Sequence, residues 1–349
     1  MTLTQTPIET AEVSPRLRPG QLATRVLGSG LLLLVAYWLV VQAVQHTTQF
    51  ANALVTGINN GALYALIALG YTLVYGIIEL INFSHGDLFM LATILAAFVV
   101  VTTFGATTTN WAAAGVIGIA LVVCMTGAAG LNVAAERLAY RRLRRAPKLA
   151  PLITAVGLSF VYQFVGVYTN GSAQKSWDTI LGDTGFTVGS VTIHWSTIVI
   201  IAVTVPLLLA MTWLVTSTRQ GKAMRATAQD QDAARLMGID VDRTIAFTFG
   251  LGGALAGAAG VLYMESSGIT RWDVGFRLGL FAFTAAVLGG IGNLTGAVIG
   301  GVIIGIIESM NGSLGLGQQW GQTVIFTVLI VLMVFKPEGI LGRPTQEKV

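Results

Sequence analysis

Charge is scarce in this chain, and so is cysteine. Only 10% of its 349 residues are Asp, Glu, Lys or Arg, against about a quarter in an ordinary soluble domain, a deficit that excludes most water-soluble architectures. The one cysteine, Cys124, can form no internal disulfide, and in the middle of an apolar run it reads as a small hydrophobe. Of the three histidines, His46 and His194 fall on the opposite side of the expected membrane from His85, so no metal set is expected. With no nucleophile–base or metal pair adjacent in pattern, an intramembrane enzyme is disfavoured. The chain also lacks a G-x-x-x-x-G-K-[ST] phosphate-binding loop, so it is not expected to bind ATP in the usual way.

What is present is apolar and continuous. Hydrophobic residues make up 54% of the chain, and residues 26–78, 88–135, 149–174, 184–218, 244–264, 278–307 and 309–335 contain no Asp, Glu, Lys or Arg. Each stretch reaches the roughly 20 residues that a helix needs to cross hydrocarbon. The fold class expected is therefore an all-α polytopic membrane protein embedded in the lipid bilayer. Cutting the runs at Gly, Pro, Asn and charge predicts ten spans, near 26–45, 52–79, 86–105, 111–133, 151–169, 195–215, 244–264, 276–291, 294–309 and 321–335. Residues 1–24 are polar, contain Pro15 and Pro19, and read as a disordered cytoplasmic tail. Val26–Val44 is longer than a signal core and reads as a retained helix. Residues 25–336 then form the membrane domain, with 216–243 as a cytoplasmic loop and 337–349 as a second cytoplasmic tail.

The formal charge of +4 would suggest nucleic acid in a soluble protein, but the placement of the basic residues indicates orientation instead. Ten spans with an inner N-terminus put 17 of the 20 Lys and Arg inside, leaving Lys175, Arg271 and Arg277 outside. That asymmetry follows the positive-inside rule and makes both termini cytoplasmic. Spans two to five and seven to ten then run in opposite senses, the geometry of an inverted repeat. Glycine is abundant, 42 in all. Gly253 with Gly257, Gly301 with Gly305, and Gly292, Gly296 and Gly300 stand at four-residue spacing, which predicts close helix contact.

Thr216–Arg243 is too long for a plain connector. Ala223–Ala234 is rich in helix formers, and Gly238 is placed to end a short helix. Within it, Asp232-Ala233-Ala234-x-x-x-Gly238 resembles the Glu-Ala-Ala-x-x-x-Gly signature of bacterial ABC importer permeases, with Asp for Glu. The longer strings GKAMRATAQDQDAARLMGIDVDRTIAFTFGLGGALAGAAGVLY, FTAAVLGGIGNLTGAVIGG, GIIES, KPEGILG and GINNGALYALIALGYTLVYGIIELINFSHGDLFML resemble permeases of high-affinity branched-chain amino-acid importers, the Liv type. Asp87 departs from the Glu that family often has there. The resemblance, over residues 52–342, implies a type II importer-like permease in the bacterial inner membrane, working by ATP-driven alternating access. It implies a similar second permease, two ATPase subunits that use ATP and Mg, and an external binding protein, with no cofactor on this chain. Coupling to the ATPase would fall to Ala226, Gln229, Asp230, Asp232, Ala233, Ala234, Leu236, Met237, Gly238 and Ile239. Urea and short amides remain alternative substrates.

Several polar groups bear on the path. Asn82, Ser84 and His85 either form an interfacial turn or dip inward along a translocation path. Asn59, Asn60 and Tyr64, one turn apart in the second span, either line that path or bond a neighbouring helix. Glu308 reads as an interfacial charge, and Glu265, Arg271, Asp273 and Arg277 as a surface where a binding protein would dock. An ion-coupled transporter would need acids deep in the bilayer, and no span has one near its centre.

Overall fold

The computed structural model describes residues 19–104, 112–144, 146, 147, 149–177, 179–181 and 184–342. The expected tails outside 19–342, with Arg16, Arg18, Arg343 and Lys348, lie beyond these residues, as do Arg145 and Lys148. Each predicted span is helical: α1 (Pro19–Gln45), α2 (Thr47–Ile78), α3 (Ser84–Phe104), α4 (Ala112–Ala135), α6 (Leu149–Asn170), α7 (Trp195–Ser217), α10 (Val241–Ser267), α11 (Val274–Gly289), α12 (Leu294–Leu314) and α13 (Gly321–Phe335). Short helices α5 (Arg141–Leu143), α8 (Arg219–Gln229) and α9 (Gln231–Leu236) complete the set. Among the described residues, seven helices are long and apolar enough to cross a membrane; the apolar parts of α1, α3 and α11 are shorter. The chain is thus a mostly helical, polytopic membrane protein.

Two units divide it, residues 1–45 and residues 46–349. In the first, α1 begins at Pro19, so the expected tail to residue 24 is too long. Proline is tolerated in the first helical turn, where its missing N–H has no partner to lose.

In the second unit, α2 packs against α10, α11 and α12 and is buried along residues 61–74, and α10 in turn packs on α3 and α4. Leu66, Ile67, Leu69, Phe89, Phe249 and Leu262 are fully buried there. Small residues set how close these helices come. A Cβ built on Gly61 would lie 2.7 Å from the Val302 Cα, and one on Gly305 would lie 2.3 Å from the Gly61 nitrogen. On the other side of the core, Gly253 and Gly257 meet the Ala128 and Cys124 carbonyls at 2.5 and 2.4 Å by the same measure. Gly296 and Gly300 bring α12 onto the Gly289 and Ala285 carbonyls of α11. Gly292 behaves differently: nothing lies within 4 Å of its Cβ position and its φ is +88°. It is a turn glycine, not a packing one, because only a residue without Cβ adopts that angle freely. α7 buries only Ile200 and Thr204 and carries Pro206 inside the helix.

The fold is not purely α. Gly185–Val188 (β2) and Val191–His194 (β3) pair as an antiparallel hairpin, with β-branched Val188, Val191 and Ile193 flanking a two-residue turn whose Gly189 has φ +66°. Lys175–Ser176 (β1) and Ile269–Thr270 (β4) form a second small ribbon. The segment after α13 is also structured: Ile340 and Leu341 donate backbone hydrogen bonds to the Leu288 and Gly289 carbonyls at 2.8 and 3.1 Å. KPEGILG therefore closes the end of α11.

Past Ala135, α4 continues through a π-helical turn, Glu136–Tyr140, into α5. Glu136 is fully buried, and Arg144, with 11% of its side chain exposed, pairs with it and with Asp242. Removing one partner of a buried ion pair leaves the other charge desolvated, at a cost of about 3–5 kcal/mol. Arg144→Ala should therefore lower the melting temperature of the purified protein far more than Arg141→Ala, which removes only the half-exposed partner of Asp242. Equal melting of the two variants would show that Glu136 does not depend on Arg144.

Candidate functional site

At one end of the bundle, α8 and α9 join α7 to α10. Thr218 caps α8, its hydroxyl accepting from the Gly221 amide at 3.0 Å. Gly221, Met224 and Thr227 bury one face of the helix, and Gly221 lets it lie against the Leu214 and Val215 carbonyls. The single expected helix is in fact two, because Asp230 ends α8 and caps α9. Its Oδ1 accepts from the Asp232 and Ala233 amides at 2.8 and 3.0 Å, and a side chain bonding the next amides competes with helix continuation. At the far end, Gly238 has φ +80°, and the Gly238 and Ile239 amides return to the Arg235 and Ala234 carbonyls, both at 3.0 Å. That is a Schellman closure.

Between these caps only Ala234 is buried; Asp232 and Ala233 are exposed, and Asp232 pairs with Arg235 at 2.6 Å. In α8, Ala226 is half-buried and Gln229 exposed, while beyond the cap Ile239 is half-buried. Leu236 and Met237 are 89% and 83% exposed. Two large apolar side chains thus stand exposed at the tip of the capped α8–α9 segment.

In the interior, Asn82, Ser84, His85 and Asp87 are all buried. The chain leaves α2 through Glu79, at φ 53°, and climbs back into the bundle. His85 packs against Gly70 and Tyr71 of α2, about 12 Å before that helix ends at Ile78, given 1.5 Å per residue. Asn82 Oδ1 accepts from Ser84 at 2.6 Å and from Tyr140 at 2.8 Å. Asp87 accepts from Ser159, about 15 Å along α6 from Leu149, and from Gln163 at 3.3 Å. An acid therefore does lie level with the middle of a span, contrary to expectation. Linear hydropathy misses it because α3 starts inside the bundle, not at its edge.

At the opposite end from α8 and α9, Asn59 and Asn60 part company. Asn59 donates to Ser266 on α10 at 2.9 Å. Asn60 and Tyr64 donate to Glu308 on α12, at 3.4 and 2.5 Å. Glu308 is therefore not a free interfacial charge. It borders a cavity of about 570 Å³ with Asn60, Arg271, Phe276, Arg277 and Phe281. Arg271 is paired with Asp273, whose hydrogen bond pushes the guanidinium pKa further up. Glu265 leaves the expected docking surface altogether: it is buried and accepts the Ile180 and Leu181 amides at 3.1 and 2.8 Å. It ties Ile180 and Leu181 to α10.

The chain is thus a close-packed helical membrane protein with a polar cavity at one end and a capped, exposed helical tip at the other. Residues 53–334 match the family described as branched-chain amino acid transport system / permease component, and the chain belongs to that family. It is 38% identical over 310 residues to the high-affinity branched-chain amino acid transport system permease protein BraD of Pseudomonas aeruginosa, covering 86% of this chain and 98% of that one. The corresponding LivH permease of Escherichia coli is 39% identical over 308 residues, with the same coverage. A more remote relative, the autoinducer 2 import system permease protein LsrC of Yersinia pseudotuberculosis, is 32% identical over 38% of this chain and 39% of its own. No solved structure matches.

Proposed function

We propose that this chain is the permease subunit of a bacterial inner-membrane importer for branched-chain amino acids, driven by ATP that separate subunits hydrolyse. The observation that carries this reading is the 38–39% identity, over 86% of this chain, to BraD and LivH, both high-affinity branched-chain amino acid transport system permease proteins. The chain contributes no ATPase site. Its partners are a similar second permease, two ATPases that use ATP and Mg, and an external binding protein, and the path runs between the two permeases.

Ten crossings with both termini cytoplasmic put α8 and α9 on the ATP side and the Glu308 cavity outside. An inverted repeat relating α2, α3, α4 and α6 to α10, α11, α12 and α13 accounts for the way the helices pair. α2 packs on α12 as α10 packs on α4, α3 packs on α10 as α11 packs on α2, and α3 packs on α6 as α11 packs on α13. The starts of α3 and α11 touch each other at Gly86 and Gly275, as the two members of such a pair would. Alternating access is then a rocking of the two permeases, passed from the ATPases through the α8–α9 tip.

Reconstituting the complete complex in proteoliposomes tests this. Leucine uptake should require ATP inside and the ATPase subunits, with valine and isoleucine competing and urea and acetamide inert. Uptake that persists without ATP on an ion gradient would overturn the importer reading, and competition by urea would overturn the substrate.

A further inference from the structure

The protein leaves Glu308 half-satisfied at this cavity. Tyr64 and Asn60 both donate to the same carboxylate oxygen, Oε2, while Oε1 takes no hydrogen bond among the described residues. Arg277 lines the same space, lies close enough for its charge to act on Glu308 and on the Tyr263 hydroxyl, and makes no ion pair among the described residues, unlike Arg271. Phe276 and Phe281 supply apolar walls. An acid and a base around a partly apolar cavity of about 570 Å³ lie within the usual range of small-molecule sites. Glu308 and Arg277 present charges of opposite sign to this space, which a neutral ligand such as urea meets only with dipoles, and hydrogen bonds with charge on both partners are the stronger ones. A molecule with an ammonium, a carboxylate and a branched apolar side chain neutralises both.

We propose that this cavity is the subsite at which the chain receives the zwitterionic main chain of its amino-acid substrate on the outer side. Glu308 Oε1 accepts a hydrogen bond from the α-ammonium, Arg277 donates to the α-carboxylate, and Phe276 and Phe281 flank the side chain. Tyr64 and Asn60 are positioning residues that hold Oε2 and so aim Oε1. The proposal rests on the reading of the chain as an amino-acid importer permease.

ATP-driven leucine uptake by the complete complex in proteoliposomes tests it, with the binding protein saturating. Glu308→Gln keeps an acceptor for Tyr64, so the fold is retained. That variant and Arg277→Gln should each lower uptake roughly 10- to 100-fold, the loss expected when one charged hydrogen-bond partner is removed. Arg277→Lys, which keeps the charge, should recover part of it. The binding-protein concentration that half-stimulates the ATPase should stay at the wild-type value, because the cavity meets substrate and not the docked protein. Uptake within about twofold of wild type in both Gln variants would overturn the proposal. So would a loss that tracks weaker stimulation by the binding protein, which would make Arg277 a docking residue. If the wild-type complex itself shows no ATP-driven leucine uptake, the importer reading fails. If it transports and the variants do too, only the subsite fails.

Discussion

Gly61→Leu, expressed as the single chain in membranes and extracted in detergent, should yield little or no monodisperse protein, whereas Gly118→Leu should elute and melt like wild type. Both substitutions add the same four carbons to a helix. At Gly61 they meet backbone: the first added carbon would sit 2.7 Å from the Val302 Cα and 3.2 Å from the Gly301 and Val302 carbonyl oxygens. Backbone cannot rotate aside as a side chain can, so α2 and α12 must separate. In lipid no hydrophobic force holds separated helices, whose association depends on close van der Waals contact and hydrogen bonds. Overpacking a core costs about 1–3 kcal/mol where neighbours can adjust, and occasionally more. Here separation would also strain the neighbouring contacts at Gly57 and Gly305 and the Tyr64–Glu308 hydrogen bond, which span the same seam. Gly118 of α4 has nothing within 4 Å of its Cβ position and isolates the effect of the larger side chain alone. A Gly61→Leu protein that elutes and melts as wild type would show that the seam is not close-packed.

That seam was readable in part from the sequence. Four-residue glycine spacing is a local pattern, and so is hydropathy, which is why ten helices and the small-residue faces of α10 and α12 could be placed from residue types alone. Partner identity is not local: the spacing of Gly301 and Gly305 could not say that they lie against Gly57, Gly61 and Ala65 of α2. Gly292 shares the spacing but not the packing role; beside Gly289, Gly290 and Asn293 it also reads as a break between two spans, and that is where the turn between α11 and α12 falls. Residue types leave depth open. The polar run 82–87 falls between two apolar stretches, where an edge turn and an inward dip both fit; α2 is 32 residues long, the chain turns back alongside it, and the dip is what forms. His85 and Asp87 therefore end inside the bundle.

At the Glu308 cavity the missed residue had a signal. Glu308 is the lone acid between two charge-free stretches, 278–307 and 309–335, and an ionisable group there is costly unless something holds it. Its holders could also be narrowed. Asn60 and Tyr64 stand four residues apart and share a helix face, whereas Asn59, displaced by about 100° from Asn60, points to a different neighbour. Treating the three as one face merged two environments that the structure separates, Ser266 on α10 and Glu308 on α12. The α8–α9 segment was the most legible of all, since caps are local chemistry. Asp230 still broke the single expected helix, because its carboxylate offers the following amides a nearer partner than the preceding turn does.

The same segment carries the second large effect. Leu236→Asp with Met237→Asp should abolish copurification of the ATPase subunits and reduce ATP-driven uptake to background, with the permease itself folded as before. These side chains are 89% and 83% exposed, so they contribute almost nothing to the isolated subunit. Burial of a Leu or Met side chain in a partner's groove contributes about 1.5–3 kcal/mol each, so the pair would supply about 3–6 kcal/mol. Losing that weakens docking by roughly a hundred- to ten-thousandfold, and placing two carboxylates in an apolar groove adds a desolvation cost. Asp230→Ala probes the rigidity of the tip instead. It removes the oxygen that holds the Asp232 and Ala233 amides, a cap worth about 1 kcal/mol, so it should weaken docking by only a few-fold. Unchanged melting of the double Asp variant, with graded loss of the ATPase across the two, places the effect at the interface. Full recovery of the ATPases with the double Asp variant would mean that the exposed tip meets something other than the ATPase, and the motor would then have to act on the permease through a different surface of the cytoplasmic end.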